Sequence, residues 1–361
     1  MTATAVTAKD VQRTLRTLAS AALLHMVAIW AQPSRAESVA GFYRGKTVEI
    51  LVGAAAGGGY DVAARLIANH MSRHIPGNPA IVVRNMPGAT GLIMTNHLYN
   101  AAKRDGTVIG MPTSNVPIEP RLRLLSPDGK NIKFNLARFG WLGTPLQEPQ
   151  VTWVWHTAPA KSVDDLKTST ILMGATTATA DNYVLPMLVN QIVGTRMKPV
   201  TGYRGQNEIN IAAERGEVQG NNTGLSNLTV NRADWLRDRK VRILIQYGTE
   251  RLPVIKDVPT AMELAPNDDD RAVLRTYAAK FAMARPLAVI ADDPGRVAVL
   301  QAAFADTMKD VQYLSDARKL GLDTNWIGGA ALTELVRQVE ATPQPVVDRL
   351  RRLLAQAAAN K

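Results

Sequence analysis

Near the start of the chain, Ala54-Ala55-Ala56-Gly57-Gly58-Gly59-Tyr60-Asp61 joins an apolar run to an amphipathic one. The residues before it read as a strand and those after it as a helix, so the loop's amides lie at a helix start. Unpaired N–H groups and the helix dipole there favour an anion. Glycine has no side chain, so a ligand can approach such a backbone closely. A purely structural tight turn is the alternative. Two nucleotide readings fail on spacing. A phosphate-binding loop would end in Gly-Lys-Ser/Thr, and no Lys follows these glycines. A dinucleotide fingerprint begun at Gly57 would put its third glycine on Val62. What remains is a carboxylate or another small anion. Asp61 reads as a cap that stabilises the loop rather than as a general base.

Other residues capable of chemistry lack the partners that chemistry needs. His70 and His74 are four apart and could share a helix face, but no Glu follows His70 as a zinc helix requires. His97 and His156 have no acid–base partner nearby in sequence, and Ser114 and Ser226 lack a nucleophile elbow. Asp164-Asp165 suits a solvated helix start. Asn267-Asp268-Asp269-Asp270 lacks the glycine and distal Glu of a calcium loop. We expect no catalytic group, no metal and no cofactor. An NAD-linked α/β enzyme would need both a phosphate fingerprint and an acid–base pair.

Alternating strand and helix patterns position these residues, which predicts an α/β fold with mainly parallel sheets. Strands are expected at 47–52, 80–83 and 107–111. Helices follow at 61–71, where Leu66, Ile67 and Met71 share a face, and from Leu92 to Ala102. Residues 46–111 thus form a βαβαβ unit. After a Pro-rich stretch from Pro112 to about Asn135, strands are expected at 151–155, 171–174 and 241–246, with helices from Ser162 and over 181–193. The last third reads as mostly helical. A second loop-to-helix junction, Ala175-Thr176-Thr177-Ala178-Thr179-Ala180-Asp181, mirrors the first.

The chain has 361 residues, 46% hydrophobic, enough for about two domains. Cysteine is absent, so disulfides and Cys-bound metals are excluded. Arg13 and Arg16 precede an apolar run from Leu18 to Trp30, and Ser34 and Ala36 occupy the −3 and −1 positions of a cleavage site. That is a signal peptide over residues 1–36, cleaved after Ala36, with a periplasmic location implied. The run is shorter than a bilayer span and interrupted by His25. Removing the four Lys/Arg and one acid of residues 1–36 from the net charge of +11 leaves +8. The basic residues are dispersed and aromatics make up only 5%, which argues against nucleic acid and for a solvated basic surface. A basic balance also concentrates anionic ligands.

The segment Gly57-Gly58-Gly59-Tyr60-Asp61-Val62-Ala63-Ala64-Arg65-Leu66 resembles the P-G-G-x-x-D-x-x-A-R-x-L motif of the tripartite tricarboxylate transporter substrate-binding proteins, the Bug-type periplasmic receptors. Val83 to Gly91 is similar to that family's V-x-N-x-P-G-A-x-G. Asp105-Gly106-Thr107, Tyr203-Arg204-Gly205, Gly216-Glu217-Val218-Gln219 and Val258-Pro259-Thr260 with Glu263 match further motifs in order. The chain departs from the family at Ala56, where Pro is usual, and in a Thr-rich second loop.

The resemblance implies a two-domain, Venus-flytrap fold of the type II-like periplasmic binding proteins, closing on its ligand by hinge motion. Domain 1 is expected over 37–148 plus 284–361, so that the C-terminal helices rejoin it, and domain 2 over 149–283. The first wall of the cleft would be Ala56, Gly57, Gly58, Gly59, Tyr60 and Asp61, with Asn85, Pro87, Gly88, Ala89, Ser114 and Asn115. The facing wall would be Thr176, Thr177, Ala178, Thr179 and Asp181, with Tyr203, Gly205 and Asn222. A small carboxylate, di- or tricarboxylate or related, would be held by amides and hydroxyls and passed by this monomer to membrane permease subunits. A sensor feeding a signalling system is the alternative.

Overall fold

The computed structural model describes residues 39–248 and 250–359. The signal peptide expected over 1–36 lies outside the described residues. Strands β1 (Thr47–Val52), β2 (Ala80–Asn85), β3 (Asp105–Met111), β4 (Gly140–Thr144), β10 (Leu287–Ala291) and β11 (Ile327–Gly328) form one sheet in the order β11-β4-β10-β3-β1-β2. Strands β5 (Gln150–Trp155), β6 (Ile171–Gly174), β7 (Met197–Val200), β8 (Gly220–Gly224) and β9 (Val241–Tyr247) form a second, in the order β7-β6-β8-β5-β9. The βαβαβ unit stands as expected: β1 lies between β2 and β3 and pairs with both in parallel. Its near-continuous apolar run follows from burial by helices on both faces.

The sheets are mixed, which corrects the expectation of mainly parallel pairing. β10 runs antiparallel to β3 and β4, β11 to β4, and β5 to β8 and β9. Alternation of apolar residues reports that a segment is a strand but not which way its neighbour runs. Several of these strands also carry weak signals of their own. β8 reads Gly-Asn-Asn-Thr-Gly, four of its five residues being Gly or Asn, types depleted in strands, yet it lies inside the sheet. A Cβ at Gly220 would come within 2.4 Å of the Trp153 carbonyl, so the close strand approach requires glycine. β7 contains Pro199 and sits at the sheet edge, where a missing N–H is tolerated.

The chain passes between the sheets along two segments, Thr144 to Gln150 and Phe281 to Leu287. They run side by side: the Glu148 amide donates to the Phe281 carbonyl at 2.8 Å, and the Arg285 amide to Thr144 Oγ1 at 3.1 Å. The C-terminal helices then divide. Pro294–Lys309 and Gly329–Glu340 pack against β4 of the first sheet. The last helix, Gln344–Ala359, carries an apolar stripe of Val346, Val347, Leu350, Leu353 and Ala357 and buries it against helices Asp181–Val193 and Asp268–Ala282. There Tyr183 O–H donates to the Ala357 carbonyl at 3.1 Å, and Gln191 Nε2 to the Leu353 carbonyl at 3.1 Å. One apolar core therefore includes Leu51 and Met94 of the first half, Val154 and Ile171 of the second, and Leu350 of the last helix. Among the described residues, no helix is long and apolar enough to cross a membrane.

Candidate functional site

The glycine loop leaves the C-terminal end of β1 and enters helix Gly59–Met71, with Gly58 as N-cap and no side chain capping that start. Its first-turn amides have no intrahelical acceptor, and Gly57, Gly58 and Gly59 are exposed. Gly57 sits at φ +79°, the left-handed region that glycine enters without strain. The loop is held from inside. Asp61, buried, accepts the Gly57 N–H at 2.9 Å and Arg65 Nε at 3.0 Å, both on Oδ2. The Arg65 hydrogen bond and then the Gly57 amide hold its carboxyl down at about 2. Asp61 thus stabilises the loop as the sequence suggested, through the Gly57 amide and Arg65 rather than as a helix cap, and it fixes a turn in which Ala56 stands at the family's usual Pro position.

Asn85 joins the next loop to the first. Its Nδ2 donates to the Ala54 carbonyl at 3.1 Å, and its Oδ1 accepts from Arg65 Nη2 at 3.3 Å. After Pro87 the backbone runs through four consecutive positive-φ residues, Gly88 (131°), Ala89 (44°), Thr90 (51°) and Gly91 (92°). Ala89 and Thr90 lack glycine's freedom, so this run stores strain, which such sites tolerate when neighbours hold them. Here Thr113 Oγ1 donates to the Thr90 carbonyl at 2.7 Å. Next to Thr113, the Ser114 amide donates to Tyr60 Oη at 3.0 Å. Burial raises the Tyr60 phenol's pKa, opposed by the Ser114 hydrogen bonds. Residues 56–61, 85–89 and 113–115 therefore form one hydrogen-bonded wall, with Asn115 heading the short turn Val116–Ile118.

The second loop also meets an uncapped helix start, at Ala180 before Asp181–Val193. Asn182, which the sequence did not single out, accepts from Thr176 N at 3.2 Å, while the Thr176 carbonyl receives the Gly202 amide at 3.2 Å. Thr177 and Thr179 pair their hydroxyls at 3.3 Å. A cavity of about 640 Å³ opens beside Thr176, Thr177 and Ala178, with Met187 and Met197 also in its lining. Asp181 points elsewhere: its Oδ1 takes Lys280 Nζ at 2.6 Å and Tyr277 O–H at 2.7 Å. Asn222 lies inside the sheet, accepting from Thr152 Oγ1 at 2.9 Å in a buried set with Tyr247. Gly205 caps the next helix and Tyr203 packs on the second half's apolar cluster. Thr176, Thr177, Ala178 and Thr179 are thus brought together, while Asp181 Oδ1 and Asn222 Oδ1 already have protein partners. His70 and His74 are likewise engaged, with Asp316 at 3.2 Å and Asp310 at 2.9 Å.

Charged residues that no motif marked meet where the two crossing segments pass. Arg285 places Nη2 2.8 Å from where a Cβ on Gly59 would lie, and its guanidinium carbon is 5.9 Å from the Tyr60 ring centroid. Glu148 sets Oε1 3.2 Å from the Cβ position of Gly224, beneath the end of β8. Burial raises the Glu148 carboxyl's pKa, with Arg285 opposing and Asp323 and Asp181 adding. Asp323 is raised by burial, again opposed by Arg285. Sequence spacing could not reveal this cluster, because its members come from three distant segments and follow no local pattern.

No protein-family model matches the chain. A curated relative, the "UPF0065 protein in gbd 5'region" of Cupriavidus necator, is 22% identical over 308 residues, covering 84% of this chain and 88% of the relative. Among solved structures, a TctC solute-binding protein from Polaromonas superposes with a TM-score of 0.66 at 19% identity, covering 85% of this chain and 100% of that one. A Rhodopseudomonas palustris protein solved with adipate gives 0.55 at 20% identity, covering 87% and 97%. MatC of the same organism, solved with bound malate, gives 0.52 at 21% identity, covering 86% and 99%. The family resemblance carried by the motifs is thus matched in three dimensions, and the chain has the two-domain α/β fold of the TctC and Bug-type solute-binding proteins.

Proposed function

We propose that this chain is an exported, periplasmic solute-binding protein, not an enzyme, and that it captures a small carboxylate between its two halves. The observation that carries the reading is the uncapped start of helix Gly59–Met71, its glycine amides exposed and its turn held by Asp61. Helix starts bind anions through free N–H groups and the dipole. A ligand touching both walls binds the closed form better than the open one, and so shifts the hinge equilibrium. The hinge is the pair of crossing segments 144–150 and 281–287, with residues 39–148 and 284–343 on one side and 149–283 on the other, where the last helix, Gln344–Ala359, is also seated. Wall residues from the first half are 56–61, 85, 87–89 and 114–115; from the second, 176–179 dominate. Its partner is the permease of a tripartite tricarboxylate-type transporter, as the family resemblance implies, and malate and adipate in two fold relatives support an organic acid as cargo.

The test is calorimetric titration and thermal unfolding of residues 37–361 with mono-, di- and tricarboxylates and amino acids. A ligand at 100 times its Kd stabilises the fold by about 2.7 kcal/mol. Failure of every organic acid to raise the melting temperature would sink the reading.

A further inference from the structure

Arg285 is the one charged residue that reaches the start of helix Gly59–Met71 from the crossing segments. Its guanidinium has five donors, yet its side chain makes no hydrogen bond or ion pair among the described residues, and Nη1 is completely buried. A buried donor without an acceptor is costly. Gly59 leaves the room the guanidinium fills, since a Cβ there would meet Nη2 at 2.8 Å. Glu148 lies on the crossing segment that runs beside that of Arg285, and Asp323 is a second acid within range of its charge. Both feel the Arg285 charge, and neither pairs with it. Other nearby charges are already matched: Asp61 by Arg65, and Asp181 by Lys280.

This charge set discriminates between kinds of carboxylate. A helix start and one guanidinium suit a single carboxylate group. A second carboxylate would face Glu148 and Asp323 in a partly buried base, where like charges repel strongly. A protonated amine there has the opposite effect. We propose, resting on the carboxylate-binding reading above, that the cleft takes zwitterionic amino acids, Arg285 receiving the α-carboxylate beside Gly59 and Glu148 receiving the α-ammonium. Burial disfavours an ionised Glu148 standing alone, so a cationic group against it recovers what desolvation costs. The alternation of the first crossing segment agrees: Gln147 and Pro149 line another groove that Glu148 does not line, and Glu148 sits against Gly224 instead.

Calorimetric titration of residues 37–361 at pH 7 tests this with a panel of amino acids and their deaminated counterparts, such as L-leucine with 4-methylpentanoate and L-glutamate with glutarate. At least one amino acid should bind ten-fold or more tightly than its deaminated counterpart. Glu148→Gln should narrow that ratio to within about three-fold, and Arg285→Gln should weaken amino acid and counterpart alike by ten-fold or more. Circular dichroism confirms that each variant is folded, and the wild-type ratio stands as a test even if one is not. Deaminated acids or dicarboxylates binding as tightly as amino acids would overturn this inference and leave the proposed function intact. An unchanged ratio in Glu148→Gln would overturn it as well. Absence of binding by any acid would overturn both.

Discussion

Asp61→Asn tests whether one buried carboxylate holds the glycine loop in shape. In the wild type this carboxyl is 4% exposed and accepts hydrogen bonds from the Gly57 amide and Arg65. Its pKa falls from an ordinary 3.8 to about 2, which by linkage corresponds to about 2.5 kcal/mol of stability at neutral pH. Arg65 is 52% exposed and shares its charge with solvent, so the expected loss in Asp61→Asn is nearer ~1 kcal/mol. The sign follows from the depressed pKa. The contribution is complete above pH 3.8, fades as pH falls towards 2, and is absent once both folded and unfolded forms are protonated. Urea unfolding of both proteins from pH 7 to pH 2 would read it as a difference that shrinks across that window. A difference that is zero at pH 7, or that persists unchanged below pH 2.5, would refute the account of Asp61 as an ionised loop anchor.

Gly143→Ala should cost ~3 kcal/mol or more, because φ is +142° and a Cβ would lie 2.3 Å from Phe304 Cε1 and 2.6 Å from the Ile327 carbonyl; soluble yield and melting temperature report it. Tyr60→Phe removes the acceptor of the Ser114 amide and should destabilise by ~1 kcal/mol in urea titrations, with faster amide exchange at Ser114. The Asp181–Lys280 pair should respond asymmetrically, since the Lys280 side chain is 6% exposed and that of Asp181 35%. Asp181→Ala strands a buried ammonium and should cost about 3 kcal/mol, whereas Lys280→Met leaves a carboxylate that water can reach and should cost ~1 kcal/mol. Equal losses in denaturant titrations would contradict that burial argument.

The sequence alone determined the elements whose signals are local. β1, β6 and helix Asp181–Val193 fall where periodicity puts them, because apolar alternation and helix-start chemistry act within a few residues. The glycine loop and its Asp61 anchor were legible for the same reason: donor and acceptor are four residues apart. Tertiary structure alone decided the pairing directions, the strand status of the weakly patterned β8, and the seating of the last helix on the second half. It also decided which charges lie where the crossing segments pass the glycine loop. Asn222, expected in the facing wall, sits on β8, and only the structure shows that its Oδ1 accepts from Thr152. Arg285 and Glu148 belong to no motif and come together only because the two crossing segments run side by side. Local spacing encodes a glycine loop at a helix start, whereas the long-range packing of the crossing segments sets which charges stand beside it.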